Sequence, residues 1–220
     1  MVEISYLGHS GVRIRGKRVT LVIDPPEGNI LGIQTPKNVT ADIVLLTQGQ
    51  VAAHSNLAIV KPLNGEIFQI SGPGEYEISQ TEITGFAANS RGSCYSDSTK
   101  LTIYQIEIDE ILLLFLGTIA KLQQNLVEQL SSVDVLFFPA GGKVSIDPGE
   151  ADNVITSLEP AIVVPIHYQA GEKDGLGSLD NFLTQVGKIP IETLDKLQIS
   201  KDRLPEEVKI VVLKTIGDRG

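Results

Sequence analysis

Three short apolar runs, each followed by a polar loop, constrain this chain most. Residues 42–46 (DIVLL), 134–138 (DVLFF) and 161–166 (AIVVPI) carry almost no polar residue beyond a leading Asp. A run of that length without polar alternation has no face to give to solvent, so each predicts a strand covered on both sides. Such strands belong in a layered protein, with helices or a second sheet on each face. Thr47 and His167, which follow two of them, then fall at strand ends, where open α/β sheets build their sites.

The rest of the chain extends the pattern. Residues 3–6, 12–15 and 19–23 read as short strands separated by Gly8, Gly11 and Gly16, and Asp24-Pro25-Pro26 stops the third. Residues 67–70, 75–79, 81–86, 101–108 and 110–116 predict a β-meander. Residues 120–130 put Leu122, Leu126, Val127 and Leu130 on one helical face. Asp147-Pro148-Gly149-Glu150 reads as a helix start, with Asp147 as cap and Pro148 in the first position, and the helix runs to residue 158. Residues 179–186 predict a further helix and 208–214 a final strand. This order describes an α/β protein with two sheets in one domain, residues 1–220, with no visible boundary. No GxGxxG or phosphate-loop motif occurs.

Composition excludes several functions. With 42% hydrophobic residues, a chain of 220 builds its core without disulfides. A net charge of −9, from 18 basic and 27 acidic residues, repels phosphate backbones and anionic lipid, so neither nucleic acid nor membrane is an expected partner. One cysteine and three histidines rule out a zinc finger. The start lacks a signal-peptide pattern and the run at 111–116 is too short for a bilayer, so a cytoplasmic location is expected. Nothing in the sequence sets the oligomeric state.

All three histidines follow strand-like segments: His9 in Leu7-Gly8-His9-Ser10, His54 in the loop of residues 47–54, and His167 in Pro165-Ile166-His167-Tyr168. The plain reading of His9 is a hydrogen-bonding turn residue rather than a ligand. Asp24 either caps a turn or faces a cleft. Gln48, Gln50 and His54 form either a solvated loop or the lip of a ligand site. Cys94 has no histidine near it in sequence and reads as an ordinary free thiol.

The ordered set of Leu7-Gly8-His9-Ser10, Ile23-Asp24-Pro25, the strand into Thr47, Gly72-Pro73-Gly74-Glu75, residues 134–142 and Val164-Pro165-Ile166-His167-Tyr168 resembles the metallo-β-lactamase superfamily, in particular its small metal-dependent hydrolases similar to ascorbate-6-phosphate lactonase. The resemblance implies a four-layer αββα sandwich. It also implies a metal-binding His-x-His-x-Asp-His loop after the Thr47 strand, where this chain reads Gln48, Gln50, Ala52 and Ala53. The position of the bridging aspartate falls on Thr118, and that of the preceding histidine on Phe115. The loop of residues 87–98, where the family often has another histidine, offers Asn89, Ser93, Cys94 and Asp97.

A catalytic zinc takes about three protein ligands and an open position. By this alignment only His167 stands in place, so the leading expectation is a hydrolase-like scaffold with a degenerate metal site, a pseudoenzyme working as a metal-free binding or regulatory module. Its cleft would be bounded by His9, Asp24, Gln48, Gln50, His54, Thr118 and His167, with no catalytic residue, no metal ligand and no cofactor. A small polar ligand or a protein partner would fill it. The alternative is a metal-dependent hydrolase of a lactone, ester or phosphoester, holding one zinc, manganese or iron ion through His167, His54 and a carboxylate such as Asp24 or Asp97. A third reading is an assembly subunit whose old active-site face is covered by a partner.

Overall fold

Hairpins and parallel crossovers divide the chain between two sheets. The computed structural model describes residues 1–28, 34, 36–49, 51–90, 100–130, 132–169 and 176–216. Its strands are β1 (Val2–Gly8), β2 (Gly11–Arg15), β3 (Thr20–Ile23), β4 (Val39–Ala41), β5 (Ile43–Leu45), β6 (Val60–Pro62), β7 (Phe68–Ile70), β8 (Gly74–Ile78), β9 (Thr81–Asn89), β10 (Lys100–Ile108), β11 (Ile111–Phe115), β12 (Val135–Pro139), β13 (Ile162–Ile166), β14 (Ile191–Leu194), β15 (Leu197–Ile199) and β16 (Lys209–Leu213). One sheet has the order β15-β1-β2-β3-β5-β7 and the other β14-β16-β13-β12-β11-β10-β9-β8, while β4 and β6 form a separate ribbon.

The unbroken apolar runs are explained by what lies on either side of them. Ile43 and Leu45 join Ile4, Ile14 and Leu21 against Leu113, Phe115, Val135, Phe137 and Val164 in the core between the sheets. Val44 and Leu46 point the other way, packing with Leu7, Val22, Val39, Ala41 and Val60. In the second sheet Leu136, Phe138 and Val163 face outward onto Val154, Ile155, Leu158 and Phe182 of the helices Ala151–Leu158 and Leu179–Gln185. Each fully buried side chain of this size contributes about 1.5–3 kcal/mol relative to exposure. Two facing sheets, with helices on the outer face of the second, agree with the layered sandwich that the resemblance implied.

Local chemistry sets the helix ends. The Asp147 carboxylate accepts from the Gly149 N–H at 2.8 Å, Pro148–Glu150 form a 3-10 turn, and Ala151–Leu158 continues from it. The Ser178 hydroxyl accepts from the Asn181 N–H to cap Leu179–Gln185. The helix expected over 120–130 shrinks to Gln124–Val127. Its first residues are drawn into strand-like pairing instead: Ser90 bridges Ile119, and the Ala120 N–H donates to the Asn89 carbonyl. The short strands β4, β6, β14 and β15 carry too few alternating residues for sequence pattern to reveal.

Strand direction gathers the site at one end. β11, β12 and β13 are parallel, as are β3 and β5, so Phe115, Pro139 and Ile166 end together, and so do Ile23 and Leu45. Val12 pairs with Ile23, which sets the β1–β2 turn beside Asp24. Among the described residues, no helix is long and apolar enough to cross a membrane.

Candidate metal centre

His9 occupies the turn between β1 and β2 with a left-handed backbone, φ 55°, and His167 follows β13 at φ 52°. Asp24, just past β3, is left-handed as well, at φ 45°. Such a conformation costs a β-carbon-bearing residue about 1–2 kcal/mol. It recurs at the hairpin turns of Ser79-Gln80 and Asp109-Glu110, so its meaning here comes from where the side chains go. The His9 carbonyl accepts both the Tyr6 phenol and the His167 backbone N–H, each at 2.6 Å. Gly141 donates its N–H to the His167 carbonyl, and a β-carbon at Gly141 would collide with that oxygen. His54 ends the 3-10 turn Ala52–His54, its N–H donating to Val51 and that of Val51 to Gln48.

These three turns bring the imidazoles together. Ring centroids stand 4.5 Å apart for His9 and His167, 4.7 Å for His9 and His54, and 5.7 Å for His54 and His167. One nitrogen from each lies within 4.8 Å of the others, and all three residues are buried. A tetrahedral ion with Zn–N bonds of about 2.1 Å spaces its nitrogens about 3.4 Å apart, so small side-chain rotations close the set onto a cation.

The hydrogen bonding supports that fit. Nδ1 of His9, of His54 and of His167 is buried without a hydrogen-bond partner. The Asp24 carboxylate is 3.5 Å from His54 Nδ1, close enough for an ionic contact but too long for a good hydrogen bond. An unpaired buried polar atom costs about 1–3 kcal/mol, and three in one cluster call for a common partner. Burial pushes the His9 pKa well below the usual imidazole value, with the charges of His167 and His54 adding to the effect. Burial, followed by the charge of His54, lowers that of His167 to about 3. Both rings are therefore neutral near pH 7, the form that donates a lone pair to a metal.

The other cleft candidates bond elsewhere. Asp24 is fully buried and accepts from the Thr47 N–H and hydroxyl. Gln48 accepts from the Thr118 hydroxyl at 3.2 Å and donates to the Ser90 hydroxyl at 3.1 Å, so Gln48 and Thr118 serve each other. Gln50, Ser93, Cys94 and Asp97 lie outside the described residues.

Residues 3–167 match the family model described as a beta-lactamase superfamily domain. The chain belongs to the metallo-β-lactamase superfamily. A protein of Thermotoga maritima described as a zinc-dependent hydrolase of this superfamily matches with a TM-score of 0.77 and 27% identity, over 98% of this chain and 100% of that one. The UPF0173 metal-dependent hydrolase YtkL of Bacillus subtilis is 24% identical over 221 aligned residues, covering 86% of this chain and 96% of its own. A UPF0173 metal-dependent hydrolase of Lysinibacillus sphaericus is 28% identical over 196 residues, covering 76% and 85%.

These likenesses and the histidine cluster overturn the expectation of a pseudoenzyme with a degenerate metal site. The expected motif loop carries Gln48, Ala52 and Ala53, whereas the fold gathers one imidazole from each of three loops. The His9 Nδ1 is buried without a hydrogen-bond partner, and the turn contact of this residue is made by its carbonyl. The available signal was that every histidine in the chain follows a strand end.

Proposed function

We propose that this chain is a metal-dependent hydrolase of an ester-type bond, carboxylic or phosphoric, with His9, His54 and His167 holding one divalent cation. The observation that carries the reading is the cluster of three buried imidazoles, with one ligand nitrogen from each within 4.8 Å of the others. An all-imidazole set suits zinc, with iron as a second choice. The bound ion supplies Lewis acidity and lowers the pKa of a coordinated water toward neutrality.

The residues of the chain divide the remaining work. Three imidazoles would leave a four-coordinate ion one open position, as in a catalytic rather than a structural site. Asp24, held by two hydrogen bonds from Thr47, lies against His54 and favours one orientation of that ring. The left-handed turns hold His9 and His167 at their places before any ion arrives.

Metal analysis of protein purified without chelator, combined with hydrolysis assays on p-nitrophenyl acetate and bis-p-nitrophenyl phosphate with zinc or manganese, tests the reading. One equivalent of metal, with turnover lost in His167→Ala, is expected. No metal binding by the parent, or turnover unchanged in His167→Ala, would overturn it.

A further inference from the structure

The His9 carbonyl oxygen is a junction between the two sheets. β1 belongs to one sheet and β13 to the other. The residues that follow them meet where the His167 N–H donates to this oxygen. The Tyr6 phenol donates to the same oxygen, also at 2.6 Å, so both lone pairs are used. Tyr6 is itself buried, and its ring stacks on Tyr168, 5.9 Å between centroids and 29° between planes. One side chain thus grips His9 by its hydroxyl and the neighbour of His167 by its ring.

Apolar packing between sheets is not directional and tolerates small slides. A metal site does not, since its ligand distances hold to about 0.2 Å. Something with directional bonds has to fix the separation of ligands that arrive from opposite sheets. Tyr6 sits in the inter-sheet core beside Ile4, where a phenylalanine would fill the same space. The hydroxyl is therefore the part of the residue that packing does not explain.

We infer that Tyr6 is a positioning residue of the metal centre, its phenol fixing the His9 peptide and, through the shared oxygen, the distance from His9 to His167. This rests on the metal-dependent reading above. Tyr6→Phe keeps the stack and leaves the His9 carbonyl one donor, His167, so the variant folds.

The control is Tyr104→Phe. Tyr104 is an equally buried phenol that donates to a carbonyl, that of Leu46 at 3.1 Å, and touches none of the three histidines through that bond. Zinc affinity by isothermal titration, melting temperature of the metal-free protein, and the visible absorption of the cobalt-substituted protein are measured for the parent and both variants. Both variants should melt somewhat lower. Tyr6→Phe alone should bind zinc about tenfold more weakly, about 1.4 kcal/mol, and shift the cobalt bands. Equal zinc affinity in parent and Tyr6→Phe, or the same loss in Tyr104→Phe, overturns the inference while the metal site stands. A parent that binds no zinc overturns both.

Discussion

Thr47 gives Asp24 two hydrogen bonds: its N–H donates to one carboxylate oxygen at 2.8 Å and its hydroxyl to the other at 2.6 Å. Asp24 is fully buried, and the pair joins the end of β3 to the end of β5. Removing one donor leaves a buried carboxylate oxygen short of its strongest contact. Thr47→Val is therefore expected to lower stability by about 1–3 kcal/mol. Urea unfolding of the metal-free protein measures it, and a midpoint equal to that of the parent would show that water replaces the hydroxyl without cost.

The histidines should behave in the opposite way. In the metal-free protein each replacement by alanine removes an unpaired buried nitrogen, so His9→Ala, His54→Ala and His167→Ala are each expected within about 1 kcal/mol of the parent. With zinc at a hundred times its dissociation constant the parent gains about 2.7 kcal/mol, and the variants should gain much less. Melting curves with and without zinc give the comparison. A full zinc shift in any one variant would remove that residue from the ligand set.

How much of this was legible in the sequence depends on the range of the interaction involved. Ile43, Val44, Leu45 and Leu46 announced a strand covered on both faces because burial acts residue by residue. Asp147 and Pro148 announced a helix start because capping is local. The metal centre depends on three loops meeting, and no local pattern encodes the 4.5 Å between His9 and His167. Alignment to a single loop motif hid it further, since His54 lies one residue past the last motif position. The roles of Gln48 and Thr118 were hidden for the same reason, as they bond across 70 residues of chain.

Acid should destabilise the metal-free protein through its imidazoles. His9 and His167 have folded pKa values below the ordinary 6.5, that of His167 near 3. Below about pH 6.5 the unfolded chain takes up protons that the folded one refuses, so stability is full above that pH and falls as pH drops toward 3. Each group contributes a slope of up to about 1.4 kcal/mol per pH unit. Denaturation midpoints between pH 7 and pH 4.5 should decline, and less steeply in His167→Gln. A flat profile over that range would mean that the rings are not buried as neutral groups.

Gln48 separates scaffold from ligand. Its side-chain oxygen accepts from Thr118, past the end of β11, and its amide donates to Ser90, past the end of β9. β5, which leads into Gln48, lies in the other sheet, so the amide is a further tie across the sandwich. The Gln48 main-chain carbonyl also accepts from the Val51 N–H, and the Val51 carbonyl accepts from the His54 N–H. Both ends of the amide are engaged in holding the scaffold, and a neutral amide is a weak ligand for zinc beside an imidazole. Gln48→Ala is thus expected to cost about 1–3 kcal/mol of stability through the buried Thr118 hydroxyl, which loses its acceptor. The main-chain carbonyl that holds Val51 survives the substitution, so zinc affinity should fall far less than in His54→Ala, and the stoichiometry should remain one. Titration of both variants beside the parent decides the matter: loss of bound zinc in Gln48→Ala as complete as in His54→Ala would make Gln48 a ligand and the three-histidine centre incomplete.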